Sequence, residues 1–373
     1  MLTYSYRPHY RRGPIRFQGV LAGALLACVG AAAVHADPPA ASAPSTTAPA
    51  QAPWPASDTV LNYLQQLDQH ALNYPVARAA VLGCITTASD DRHADETCRK
   101  NRQRFRAQNP AAPIGTYISG GGCRRRAQMR SYPSETVEYE LLPPESFTGE
   151  INDEVYTVNV ADPQTAERFA DAIVRAVTGR GCDFVYLDEI RHPSSGGTRI
   201  PWEKMTRFLG RVRSGLHAAG MKLVANVAVS PWVLAGHEAD LLQEAVDGMC
   251  FEMCFEPQWC RTNRERFDAE IAVYRQWLAA GKLVLLIPNY SKDDAVLEDR
   301  RFAAGMAMVI RERGQPLFVH CDFWRSMPTW IDWPHKYAVP RGELARTGPT
   351  SLKRRFEKGT LVVDTAAGTV RSE

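Results

Sequence analysis

Short apolar runs recur along the chain at 79–86, 113–119, 155–160, 183–188, 222–227, 248–255, 282–288 and 316–322. Each is short and mainly apolar, as expected of a strand covered on both faces. Between them the period changes to that of a helix. One stripe is Phe169, Ile173, Ala176 and Val177; another is Met205, Phe208, Leu209, Val212 and Leu216; a third is Phe267, Ile271, Tyr274 and Leu278. Asp162-Pro163 has the form of a helix start, a capping carboxylate followed by proline. Gly220, Gly281 and Gly314 stand where helices should stop before the next strand. Residues 58–72 have the amphipathic spacing of a lead-in helix.

Strand then helix, repeated about eight times over roughly 250 residues, predicts an α/β chain folded as a (β/α)8 TIM barrel. An open, doubly wound sheet is the alternative, but no GxGxxG follows the first strand and no phosphate loop occurs. Residues 120–152 form an insertion containing Gly120-Gly121-Gly122 and Arg124-Arg125-Arg126. The arginines read as a solvated loop in preference to a polyanion site. Near the end, Leu361-Val362-Val363 and Thr369-Val370 flank Thr365-Ala366-Ala367-Gly368, predicting a small β appendage outside the barrel.

The first 36 residues change the picture of charge and address. Arg7, Arg11, Arg12 and Arg16 precede an apolar run from Val20 to Val34, and Val34-His35-Ala36 has the small-x-small form of a secretory cleavage site. A lipoprotein reading at Cys28 is weaker, because apolar residues continue after it. Removal of this segment takes away four arginines and no acids, so the formal charge moves from +3 to −1. Nucleic acid is therefore not an expected partner. Pro, Ala, Ser and Thr dominate the stretch to residue 57, which reads as a tether. The expected organisation is a signal peptide at 1–36, a linker at 37–57, a barrel domain at 58–340 and a β-hairpin appendage at 341–373. The expected location is periplasmic or secreted, with no integral membrane segment after cleavage. Eight of the nine cysteines follow the cleavage site, an even number that permits disulfides; they show no CxxC or Cys/His spacing for zinc.

In a barrel of this kind the chemistry sits at the carboxyl ends of the strands. Strand alternation puts Phe184, Tyr186 and Asp188 on one face and Val185, Leu187 and Glu189 on the other. Reading the other strand ends and their loops in the same way adds Tyr117, Asn226, Glu252, Asn289 and Tyr290. Arg191, His192, Trp232, Trp259, Asp322 and Trp324 lie in or near the adjoining loops. Two acids, Asp188 and Glu252, two strands apart and surrounded by aromatics, match the needs of glycoside hydrolysis, in which one carboxyl protonates the leaving oxygen and the other acts as nucleophile or base. Asp188 is assigned the nucleophile or base role beside Arg191. Glu252 is assigned the acid role among the apolar Met253 and Phe255. Retaining and inverting spacings both remain open. The other ten residues are assigned to the substrate, with rings against sugar C–H faces and asparagines on hydroxyls. No GxSxG, HExxH or first-strand His-x-His is present. A metal set from Asp188, His192, His320 and Asp322 is the weaker reading, so neither metal nor cofactor is expected.

The segment Gly181-Cys182-Asp183-Phe184-Val185-Tyr186-Leu187-Asp188 resembles the GFDGvflD segment of the hypothetical glycosyl hydrolase family 15 proteins, relatives of glycoside hydrolase family 114, the endo-α-1,4-polygalactosaminidases. Asp247-Gly248 followed by Glu252 is similar to their sixth-strand acidic motif. Residues Arg355 to Val363 resemble their closing R-x-F-x-x-G-x-V-L-V-N-P. The similarity spans roughly residues 75–365 and implies a secreted TIM-barrel enzyme acting on an amino-sugar or other bacterial surface polysaccharide, with Asp188 and Glu252 at the acidic positions. Two departures stand out: Phe184 replaces a glycine close to the expected site, and Asp364-Thr365 replaces Asn-Pro. Fold can be kept while function changes, so a carbohydrate-binding barrel without catalysis, serving cell-envelope or exopolysaccharide assembly, is the alternative.

Overall fold

The computed structural model describes residues 54, 61–64, 82–85, 94–120, 122–124, 142–152, 155–188, 190, 200–226, 231, 234, 237–252, 254–255, 263–287, 294–312, 314–320, 337 and 339–373. The chain has an α/β fold built on a parallel sheet. Its strands are β1 (Leu61–Leu64), β2 (Leu82–Ile85), β3 (Ile114–Ser119), β7 (Phe184–Asp188), β8 (Lys222–Ala225), β9 (Gly248–Glu252), β10 (Leu283–Ile287) and β11 (Leu317–His320). They pair in parallel in the order β2-β3-β7-β8-β9-β10-β11. β1 pairs with β11, Leu61 opposite Val319, and with β2, Tyr63 opposite Leu82.

Two expectations are corrected here. Residues 61–64 form strand β1, not part of a helix. A four-residue stretch, Leu61-Asn62-Tyr63-Leu64, is too short for periodicity to separate the two, and pairing with two neighbouring strands decides it. The run at 155–160 is not a strand of the parallel sheet. It supplies β6 (Val155–Val158), which pairs antiparallel with β4 (Gly122–Arg124) and β5 (Phe147–Asn152) in a separate three-stranded sheet. Thr157 and Tyr156 face Gly149 and Glu150 across this hairpin, so the partner lies just upstream in the chain. The insertion thus carries two of the three strands of this sheet.

Helices α1 (Ala94–Gln108), α2 (Pro163–Val177), α3 (Trp202–Ala218), α4 (His237–Ala245), α5 (Arg264–Ala279) and α6 (Asp294–Ile310) alternate with the strands. Asp162 caps α2 as expected, its Oδ2 accepting from Thr165 N at 2.7 Å. The chain leaves α3 and α5 through Gly220 (φ 76°) and Gly281 (φ 70°), left-handed positions that a Cβ would oppose. None of the described helices is long and apolar enough to cross a membrane.

Alternation divides the strand side chains as the sequence pattern requires. Val185, Leu187, Leu223, Ala225, Phe251, Val284 and Leu286 join the helix stripes in one large core. Phe184, Tyr186, Val224, Cys250, Leu283, Leu285, Ile287 and Phe318 form a second cluster on the opposite face. Trp54, from the stretch read as a tether, is buried in that second cluster. Its ring meets Phe184 edge-on at 5.7 Å, and its Nε1 donates to Asp247 O at 2.9 Å.

Phe184 itself is a correction. It lies four residues before Asp188, at the amino end of β7, against Trp54 and Gly115. A Cβ on Gly115 would come within 2.3 Å of the Phe184 ring, so a glycine on β3 makes room for the aromatic on β7. The substitution that sets this chain apart from its resemblance belongs to the amino-end floor of the sheet, away from the carboxyl ends of the strands.

The C-terminal residues form a four-stranded antiparallel sheet, β12 (Ala345–Arg346), β13 (Ser351–Phe356), β14 (Gly359–Asp364) and β15 (Thr369–Ser372). It rests on α6, where Gly305 allows Val370 to approach; a Cβ there would lie 2.5 Å from the valine. Arg354 is buried and donates to Val309 O at 3.0 Å and Arg311 O at 2.8 Å, satisfying carbonyls left over at the end of α6.

Candidate active site

At the carboxyl ends of β3, β7, β8 and β9 four polar side chains meet. Register explains why. Tyr117 lies opposite Tyr186 on adjacent strands, and Ser119 opposite Asp188. The ladder runs past the strand ends, with Asn226 N donating to Leu187 O at 2.9 Å and Gly120 N to Asp188 O at 2.7 Å. Asp188, Asn226 and Glu252 share the parity of Tyr186, Val224 and Cys250, and so stand on the face away from the helices.

Asn226 joins the two acids. Its Nδ2 donates to Asp188 Oδ1 at 2.8 Å and to Glu252 Oε1 at 2.7 Å. An amide nitrogen carries two protons, and both are used in these bonds. A third oxygen, Tyr186 OH, stands 3.5 Å away, at the limit of a bond. Asp188 Oδ2 accepts from Tyr117 OH at 2.9 Å. Two donors on one carboxylate stabilise its anionic form. Tyr117 stacks on Tyr186, centroids 5.8 Å apart, which fixes the phenol that reaches Asp188. Asn226 is 2% exposed, whereas Asp188 and Glu252 are only partly buried. The acids therefore sit at the edge of the core with the amide beneath them.

The legs of 2.8 and 2.7 Å from one nitrogen put a ceiling of about 5.5 Å on the separation of Asp188 Oδ1 and Glu252 Oε1. Below the pair lies Cys250, where burial, and after it the charge of Glu252, pushes the thiol well above its ordinary range. Cys250 is thus a packing group. Cys182 and Cys254 are likewise buried. Burial pushes the Cys182 thiol up to about 11.

Of the residues assigned from sequence, Asp188, Glu252, Tyr117 and Asn226 converge. Asn226 is engaged by the two acids, where the sequence reading gave it to a sugar hydroxyl. Arg191, His192, Trp232, Trp259, Asn289, Tyr290, Asp322 and Trp324 lie outside the described residues. Among the described residues, no group of three or more His, Cys, Asp and Glu side chains is arranged to hold a metal ion. Tyr186 was placed on the right face but given no role. Its position two residues before Asp188 was the signal.

The opposite ends of the strands are built differently. Asp247, just before β9, accepts from Arg213 Nε at 2.8 Å and from Leu223 N at 2.9 Å, and pairs with His217 Nε2 at 2.8 Å. Asp183, just before β7, accepts from Arg106 Nη2 at 2.7 Å and Ile114 N at 2.8 Å. These carboxylates tie helices and neighbouring strands together.

No protein-family model matches the chain. No curated protein matches it in sequence. Among solved structures it is similar to a maltogenic α-amylase, AmyB, of Thermotoga neapolitana, at 10% identity and TM-score 0.50, covering 83% of this chain and 86% of that one. It is also similar to Ega3 of Aspergillus fumigatus in complex with galactosamine, at 14% identity and TM-score 0.43, covering 68% and 89%. A third is the α-galactosidase TtGalA of Thermus thermophilus, at 14% identity and TM-score 0.48, covering 85% and 68%. Likeness at such identities is one of fold.

Proposed function

We propose that this chain is an exported glycoside hydrolase that cleaves a bacterial surface or extracellular polysaccharide by a retaining mechanism. An amino-sugar polymer is the favoured substrate, from the resemblance at 181–188 and 355–363. The observation that carries the reading is the shared nitrogen of Asn226, which keeps the nearest oxygens of Asp188 and Glu252 within about 5.5 Å. Retaining pairs stand roughly 5–5.5 Å apart, and inverting pairs about 6.5–9.5 Å, to leave room for a water.

In the first step an Asp188 oxygen bonds to the anomeric carbon as the glycosidic C–O bond breaks, and the Glu252 proton passes to the leaving oxygen. In the second step Glu252 takes a proton from water. The water oxygen bonds to the anomeric carbon, and Asp188 departs as carboxylate. Tyr117 and Asn226, each donating to Asp188, stabilise the charge that returns to it.

A closed (β/α)8 barrel is the framework of this reading, supported by β1, which pairs in parallel with both β11 and β2. Residues 1–36 act as signal peptide, 58–340 as barrel domain and 341–373 as appendage, giving a periplasmic or secreted product; within the expected linker at 37–57, Trp54 instead packs into the second cluster of the sheet. The test of mechanism is proton NMR of the first product released. The substrate's own anomer is expected, and the opposite anomer would overturn the retaining assignment.

A further inference from the structure

Behind Glu252 stands a second carboxylate that the proposed chemistry does not use. Glu270 of α5 is fully buried, on the same side of the helix as the apolar Phe267, Ile271 and Tyr274. A carboxylate there is costly unless it is bonded. Its Oε1 accepts from Tyr274 OH at 2.5 Å and from the backbone N of Phe255 at 2.9 Å.

Phe255 is the one non-glycine among the described residues with positive φ, at 55°. A bulky residue enters that region only where its surroundings over-determine it. Three rings grip it: Tyr274 edge-on at 5.5 Å, Phe267 at 5.6 Å and Phe302 at 6.2 Å. Tyr274 also meets Phe251 edge-on at 4.9 Å. The residue before Glu252 and the residue three after it are therefore both held by α5, while Glu252 itself faces away from the helix. Helix packing alone would be met by an apolar side chain at position 270. An acceptor is needed to hold Phe255 N.

We infer that Glu270 is a positioning residue for Glu252: its carboxylate clamps the left-handed turn at Phe255, so that Glu252 Oε1 stays in reach of Asn226. The inference rests on the reading of Glu252 as the acid. Glu270 touches no substrate and acts through the turn.

The test is the crystal structure of two full-length variants with a kinetic companion. Glu270→Gln keeps an oxygen that accepts from Phe255 N, and Glu252 should stay bonded to Asn226. Glu270→Leu fills the space without an acceptor, and Glu252 should leave Asn226. A leucine variant with Glu252 still on Asn226, or a glutamine variant with Glu252 displaced, would overturn the inference. Should the leucine variant not fold, hydrogen exchange of the Phe255 amide in the wild-type and glutamine chains decides, with protection in both expected and its absence in either contrary. On a polysaccharide that the wild type cleaves, the leucine variant should lose roughly 10–100-fold in kcat with KM little changed, the scale of a small misplacement of a reacting group. The glutamine variant should recover most of that loss. If Glu252→Gln cleaves at the wild-type rate, the acid assignment fails by itself, while the structural arm still reports on the clamp.

Discussion

Asp183 and Asp188 flank one short strand and carry its two ends into different work. Asp183 is bonded to the Arg106 side chain and the Ile114 backbone, contacts that join the start of β7 to α1 and β3. Asp188 is bonded to Tyr117 and Asn226, side chains that lead to a second acid. Carboxylates at the amino ends of these strands tie neighbouring elements together, whereas Asp188 and Glu252 share a donor at the carboxyl ends, the side on which parallel α/β architectures place ligands.

Asp247 makes a prediction about acid stability. Burial raises its pKa, but the bonds from Leu223 N, Arg213 and His217 outweigh burial and hold it below the usual carboxylate range. A depressed folded value stabilises the protein above the unfolded pKa, near 3.8. That contribution falls away as pH drops through the folded value. Asp247→Asn should cost about 2–4 kcal/mol at pH 7. The difference from wild type should shrink below pH 4, measured by urea melts across pH.

Trp54 should matter for stability and not for cleavage. It is 8% exposed, packs on Phe184, and has Lys222 Nζ 4.2 Å from its ring centre. Trp54→Ala should cost roughly 3–5 kcal/mol, the range for removing a large aromatic from a core. Thermal melting measures the loss, and the folded fraction should keep its kcat.

Asn226→Ala removes the donor common to both acids. A loss of about 10²-fold or more in kcat is expected, as for removal of one fixed donor from a charged site. A variant that melts like the wild type but retains its kcat would show that the amide is not needed.

The convergence of Asp188, Asn226 and Glu252 was legible because alternation along a strand is a local property. Asp188, Asn226 and Glu252 follow from where each apolar run ends. The two wrong elements were short runs whose identity depends on their pairing partners, which the runs themselves do not reveal. Residues 61–64 become a strand beside β11, more than 250 positions away, and 155–158 joins a hairpin with 147–152. Glu270 is not legible in the sequence for a related reason. Its value lies in the left-handed turn at Phe255, and nothing in the residue type announces that conformation. Trp54 was hidden by its proline- and alanine-rich neighbours, since one aromatic in such a stretch gives no periodicity to read.

Release of new reducing ends from bacterial exopolysaccharides, by the wild type, Asp188→Asn and Glu252→Gln side by side, tests the central claim most directly. The wild type should release them. Glu252→Gln should be slower by roughly 10²–10⁴-fold, and Asp188→Asn should be inactive, with both variants melting close to the wild type. Near-wild-type cleavage by both variants, or no release by the folded wild type from any polymer tested, would contradict a two-carboxylate glycosidase at this site.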